Sequence, residues 1–460
     1  MLKSLLTAAG LILGMATHAM AGPRVIGYYA TWEKEQTAGV DLAKYTHINI
    51  AFGAPTSNGS ITYVDKFSMS SAVAEIHNAG AKALLSIGGW AGSYAFSDVV
   101  KAPATRTNLV SNIVSTIRAN SLDGIDIDWA YPGRAGDTCN VVDEANDTPN
   151  YLLLLRELRT TLDTEFPGAA QRKSITMAVR VQPFDVNGVP LTDVSEYAKV
   201  VDFANLMIYD INGAWMAQTG PNAPFDYEND KGTPLTFITA IEAWTAAGWP
   251  ASQLNAGLAF YGRSTIATVD MTLDPANQYQ NQSSTLPQGD KDDLPAFDAC
   301  ANTTGISGTW QYKNLRGQGI LTSPTTAAAP WIRRWDDITQ TPWLYNPKTR
   351  QYITYDDPLS IKVKIDYAAA KGLGGAMVWA LYMDYQNELL NTVHTWGQYP
   401  VAGAACTSEG TLTCKDMSAT LPDYLVCLYG VWLPLSCNPN TVCLPNSNSI
   451  VCGWPRHSIS

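Results

Sequence analysis

Residues 122–132 read LDGIDIDWAYP. Aspartate is depleted in β-strands, yet two aspartates sit inside a segment whose other residues suit a buried strand. Side chains alternate along a strand, so Asp126, Asp128 and position 130 share one face. At ~3.3 Å of rise per residue, neighbours on that face lie roughly 7 Å apart. Such a row climbs toward the strand's C-terminal end, where parallel barrels place their chemistry. Asp123 begins the strand and is positioned to orient the other acids. Position 130, next in the row, is alanine.

The surrounding pattern repeats this strand. RVIGYYA (24–30), THINIAFG (46–53), KALLSIGG (82–89) and GIDIDWA (124–130) are strand-like. So are ITMAVRV (175–181), FANLMIY (203–209), LNAGLAFYG (254–262) and GGAMVWAL (374–381). Helical patterns such as SAVAEIHNAGA (71–81) and NYLLLLRELRTTLD (150–163) lie between them. Strands alternating with helices predict parallel βαβ units. Eight such units close most economically as an α/β (β/α)8 TIM barrel. An open doubly wound sheet usually places a glycine-rich phosphate loop after its first strand; here GYYATW (27–32) follows instead.

The connection before the eighth strand exceeds what one crossover helix needs. It contains GTWQY (308–312) and WLYNPKTRQYITYDD (343–357), and predicts a small α+β insertion at about 264–372, walling a groove at the catalytic end. After Pro400 helical patterning stops and cysteines cluster. The predicted organisation is a signal peptide at 1–21, a barrel with its insertion at 22–403, and a disulfide-rich C-terminal module at 404–460.

Lys3, the apolar run Leu5 to Met15 and Ala19-Met20-Ala21 form the three parts of a secretory signal, so a secreted chain is expected. The run is too short for a membrane span. Eight cysteines in an exported chain should pair. Cys406, Cys414, Cys427, Cys437, Cys443 and Cys452 crowd the module, while Cys139 and Cys300 are placed to bridge two loops. No C-x-x-C pair has metal spacing, and neither metal nor cofactor is expected. Asn58, Asn146, Asn281 and Asn302 head glycosylation motifs. The formal net charge of −11 argues against nucleic acid or an anionic membrane as partner and favours a neutral or cationic ligand. The 14 Trp and 22 Tyr suit a groove for amphipathic ligands as well as a core. In the module, Tyr424, Tyr429, Trp432 and Trp454 could form a flat sugar-binding strip or a mini-core.

The chain resembles glycoside hydrolase family 18, the chitinases and chitinase-like proteins. Residues 123–130 resemble its fourth-strand signature D-x-x-D-x-D-x-E, with alanine in place of the glutamate. SIGGW (86–90) resembles its third-strand motif, MIYD (207–210) its sixth, and GLAFYGR (257–263) and GLGGAMVWA (372–380) its seventh and eighth. The match spans roughly 24–400. The resemblance implies a barrel with an α+β insertion and chitin or N-acetylglucosamine oligomers as partner, met by a monomer.

In that family the glutamate protonates the glycosidic oxygen, and the substrate's acetamido carbonyl attacks the anomeric carbon. By resemblance, Asp128 would hold the acetamido N–H and share a proton with Asp126, and Tyr209 would bond the acetamido oxygen. Asp210 and Arg263 would contact hydroxyls or the acetamido group. Trp379 would floor the site, and Trp90 and Trp215 would stack on the leaving-group side. Tyr28, Phe52, Tyr131, Met207 and Tyr261 would complete the lining. Ala259 stands where the family often has proline, which bears on loop rigidity.

Ala130 has no proton to give, and a positioned acid contributes about 10²–10⁴ in rate. Trp129 and Tyr131 alternate away from the acid's face; Asp143 and Glu144, in the next loop, are the carboxylates with any prospect of reaching back. Ground-state binding is separable from chemistry. The expectation is therefore a secreted pseudo-chitinase that holds β-1,4-linked N-acetylglucosamine chains without cleaving them. Two alternatives stay open: a chitinase disabled by an engineered glutamate-to-alanine change or keeping residual activity, and a protein-binding scaffold that ignores sugar.

Overall fold

The computed structural model describes residues 22–63, 67–298, 300–398, 400, 402–407, 409–415, 422–446 and 449–453. The expected signal at 1–21 and Trp454 lie outside the described residues.

Eight parallel strands close into a barrel: β1 (Arg24–Ala30), β2 (His47–Pro55), β3 (Lys82–Gly88), β4 (Gly124–Asp128), β5 (Ser174–Val179), β6 (Phe203–Leu206), β7 (Leu254–Ala259) and β8 (Gly375–Trp379). Each pairs with its sequence neighbour, and β8 returns to β1. Closure explains why these strands are apolar almost throughout: helices cover the outside and side chains fill the inside. The covering helices include α1 (Met69–Asn78), α2 (Pro103–Asn120), α3 (Asp147–Glu165), α4 (Phe237–Ala246) and α5 (Pro358–Ala370). α3 buries Tyr151, Leu154, Leu155, Leu158 and Leu162, the helical spacing that puts one stripe on the sheet. α5 starts sharply because Asp357 accepts the N–H groups of Leu359 and Ser360 at 2.9 and 3.1 Å, with Pro358 just behind.

The apolar run 254–262 is not one strand. β7 stops at Ala259, and Tyr261–Ile266 begins a five-stranded antiparallel sheet with Thr309–Gln311, Ile332–Asp336, Thr341–Asn346 and Gln351–Thr354. Gly262 permits this: a Cβ there would stand 2.1 Å from the Thr354 carbonyl oxygen of the neighbouring strand. With the helix Tyr312–Gly317 this sheet forms the α+β insertion, and α5 then returns the chain to β8. A Cys139–Cys300 disulfide ties the hairpin of Ala296–Asp298 and Thr303–Gly305 to the loop after β4.

The C-terminal module is a three-stranded sheet (Leu412–Cys414, Asp423–Leu428, Val431–Ser436) with a hairpin (Val442–Asn446, Ser449–Gly453). Its cysteines pair as Cys406–Cys427, Cys414–Cys443 and Cys437–Cys452. Tyr424 lies opposite Leu435, whereas Trp432 lies opposite Cys427. Paired residues share a face and adjacent ones do not, so Tyr424 and Trp432 are on opposite sides of the sheet. A single flat strip holding both Tyr424 and Trp432, one of the two readings the sequence left open, therefore does not form. Among the described residues no helix is long and apolar enough to cross a membrane.

Candidate active site

Asp126 is fully buried in the barrel lumen, level with Ser86 on β3 and Thr176 on β5. Its carboxylate accepts three hydroxyl hydrogen bonds. Tyr28 and Ser86 donate to Oδ2 at 2.8 and 2.7 Å, and Thr176 to Oδ1 at 2.5 Å. Burial pushes its pKa up, and the three donors pull it back. Three protons aimed at one carboxylate favour its ionised form.

Asp128 is one step nearer the mouth and only 6% exposed. Among the described residues its carboxyl has no hydrogen-bond partner. Burial first, then the charge on Asp126, push it up to about 8. Asp128 therefore keeps its proton near neutrality. Asp123 takes no part: its carboxylate lies at the base of β4, bonded to His77 Nε2 and the Ala83 N–H, each at 2.8 Å.

β4 ends at Asp128, and position 130 is fixed by its backbone. The Ala130 N–H donates to Ser93 Oγ at 2.9 Å, and Asn140 Nδ2 donates to the Ala130 carbonyl at 2.8 Å. The glycines of SIGGW admit this strand end. Gly88 has φ 116°, and a Cβ there would lie 2.0 Å from the Asp128 carbonyl oxygen, which also accepts the Gly89 N–H at 2.8 Å. The methyl of Ala130 is buried at 3% exposure.

Trp129 does turn away, stacking on Phe96 at 5.0 Å. Tyr131 does not, because strand alternation lapses once β4 has ended. It is half-buried, and its phenol is pushed up to about 12 by burial and then by Asp128 and Asp210. Asp143 spends its carboxylate on the Asn146 side chain at 3.0 Å, and Glu144 is exposed.

An aromatic cluster flanks the acids. Trp379, at the end of β8, stacks on Phe52 at 5.9 Å with 14° between planes, and meets Tyr28 at 5.4 Å. Trp32 extends this row, 6.0 Å from Phe52 and 44% exposed. It is a candidate that sequence reasoning missed, although its place just after β1, in ATW (30–32), puts it at the mouth. Ser86 and Thr176 were missed too; both are polar residues inside apolar strands, which was the available signal.

Opposite, Tyr209 reaches Met377 Sδ at 3.7 Å, and its ring meets Tyr261 at 6.0 Å. Met207, half-buried, starts this stretch with its N–H on the Val179 carbonyl at 2.8 Å. Tyr261 OH and Arg263 Nε both donate to Asp210 Oδ1, at 2.7 and 2.8 Å. The Arg263 guanidinium lies 5.3 Å from the Trp215 ring. Trp90 stands apart, 56% exposed, with no ring partner among the described residues. Contacts thus join Asp126, Tyr28, Phe52 and Trp379 in one group and Tyr209, Tyr261, Asp210, Arg263 and Trp215 in another, with the charge of Asp128 acting on Tyr28 and Tyr209; Trp90 joins neither.

Chemically, the site offers a buried acid pair with a proton on Asp128, an aromatic floor and a hydrogen-bonding rim. No carboxyl stands at position 130.

The model for "Glycosyl hydrolases family 18" matches residues 24–384, and that for "Carbohydrate binding domain (family 19)" matches 391–448. A chitinase-like effector of Moniliophthora roreri is 34% identical over 405 residues, covering 83% of this chain and 95% of the relative. One from Moniliophthora perniciosa is 32% identical, covering 80% and 86%. A crystal structure of a chitinase from Rhizomucor miehei aligns with TM-score 0.73 and 35% identity, covering 80% of this chain and 98% of the other.

Proposed function

This chain belongs to glycosyl hydrolases family 18 and carries a family 19 carbohydrate binding domain, and from that premise we propose that it is a secreted protein that holds β-1,4-linked N-acetylglucosamine chains without cutting them. The observation that carries the reading is the contrast within one strand. Asp126 and Asp128 are held in a buried pair, while Ala130, two residues on and pinned by its backbone, offers only a buried methyl group. Without a proton donor the leaving oxygen must depart as an alkoxide, which the bond resists.

The residues that would grip sugar remain. Trp379 supplies a flat apolar floor beside Phe52, with Tyr28 and Met207 behind it. Tyr209 and Asp128 face the acetamido group, and Tyr131, Asp210, Tyr261 and Arg263 offer hydrogen bonds to hydroxyls. Trp90 and Trp215, both more than half exposed, extend the groove. The C-terminal domain adds a second hold on the polysaccharide. Four disulfides and the resemblance to proteins named chitinase-like effectors support export. Sequestering chitin fragments is the role this implies.

The test is a pull-down on insoluble chitin beside a turnover assay on chito-oligosaccharides. Retention with no product is expected. Product release at rates typical of an enzyme, or no retention at all, would each overturn the proposal.

A further inference from the structure

Asp128 is the one acid of the site whose need is unmet. It is 6% exposed, and no described residue donates a hydrogen bond to it, whereas Asp126 two residues away takes three. The groups that face it are Asp126 on its own strand and the phenols of Tyr28, Tyr131, Tyr151 and Tyr209. None carries positive charge. The rim cation Arg263 is occupied by Asp210 through two nitrogens, at 2.8 and 2.7 Å, and Arg180 and Arg134, which act on Tyr131, are both paired with Asp185, at 2.8 and 3.2 Å. A buried carboxyl without a counter-ion is costly in its charged form, and its pKa of about 8 expresses that cost. A cation delivered by the ligand would remove it. The whole chain, at −11, also attracts cations.

We infer that the sugar seated at Asp128 is accepted with a free, protonated amine at its second carbon, so that the barrel prefers glucosamine-containing, partly deacetylated chains over fully acetylated ones. This rests on the sugar site proposed above. An acetamido N–H gives the protonated Asp128 one neutral hydrogen bond; an ammonium displaces that proton to solvent and gives the resulting carboxylate a charge-assisted bond in a dry setting, which is roughly twice as strong. A site that cleaved by acetamido attack could not use an unacetylated ring productively. With Ala130 in place, that restriction lapses, because binding has no need of the acetyl group.

The experiment is calorimetry on the full chain with a glucosamine tetramer and with its fully acetylated counterpart, at low salt, for the native protein, Asp128→Asn and Asp128→Ala. The isosteric asparagine guards against a fold defect, checked by circular dichroism. The native protein should bind the glucosamine tetramer about tenfold more tightly, the ratio one good charge-assisted contact supplies. Both variants should lose that preference, the ratio of the two affinities falling to about one whatever each variant's absolute affinity. Equal or weaker binding of the amine-bearing tetramer overturns the inference and leaves the acetylated-chain reading standing. A preference that survives both variants also overturns it, since general charge attraction or the C-terminal domain would then be responsible. Failure of the native protein to bind either oligomer refutes the sugar site itself.

Discussion

Asn140 Nδ2 lies 2.8 Å from the carbonyl oxygen of Ala130, and Ser93 Oγ takes the same residue's N–H at 2.9 Å. A residue held at both ends of its peptide frame cannot choose where its Cβ points. The backbone at position 130 is therefore held in place although its side chain is only a methyl. The neighbouring residue Cys139 is covalently joined to Cys300, which ties this loop to the insertion. The backbone frame at position 130 and the side chain it carries are separate matters, and they separate under mutation.

Trp379 should govern affinity. Its ring meets Tyr28, Phe52 and Trp32, so it presents a wide apolar plate at the mouth. Trp379→Ala should weaken chito-oligosaccharide binding by about 2 kcal/mol or more, as central aromatic anchors do. Trp32→Ala, at the exposed end of the row, should cost less. Calorimetry with a soluble oligomer measures both. Native affinity in a folded Trp379→Ala protein would place the groove elsewhere.

Asp128 should make stability depend on pH. Its folded pKa of about 8 exceeds the ordinary aspartate value of 3.8, so the native state binds more protons than the unfolded state between those limits. Stability from this group is then present at low pH and falls as pH rises toward 8. Asp128→Asn removes the cost. The variant should melt a few degrees higher than the native protein at pH 8, with the gap closing near pH 4. A gap that is constant with pH, or that widens in acid, contradicts the assignment.

The eight barrel strands were legible because a closed parallel sheet demands apolar runs, and those runs are what the sequence shows. The end of β7 was not, since 254–262 is apolar throughout and only pairing with Gln351–Thr354 reveals that Tyr261 belongs to another sheet. The acids of β4 were legible from period two alone. Their partners Ser86 and Thr176 were not, because register between strands decides who meets Asp126. Tyr131 was misjudged for a related reason: alternation holds only while the strand lasts. In the C-terminal domain the faces depend on a two-residue turn, Tyr429-Gly430, both with positive φ.

That turn gives the next expectation. Tyr424 and Trp432 lie on opposite faces, so a flat polysaccharide surface can engage at most one of them. Of Tyr424→Ala and Trp432→Ala, no more than one should reduce retention on insoluble chitin once folding is verified. Comparable losses in both would mean that binding does not use a single face of this sheet.

The decisive substitution is Ala130→Glu. Ser93 and Asn140 hold the backbone that would carry the new side chain, two residues beyond Asp128, whose proton and buried partner Asp126 are already in place. The added acid should create hydrolysis of β-1,4-linked N-acetylglucosamine oligomers, with a gain of about 10²-fold or more over the native chain. The gain could fall short only through misplacement, since an error of ~1 Å costs about 10²-fold, and the doubly pinned backbone works against such an error. Release of fluorophore from a labelled chitotriose is the assay, with binding measured on the same preparation. If a folded Ala130→Glu protein binds the sugar and yet shows no turnover, the missing glutamate is not the sole block, and the site has been remade for binding at other positions as well.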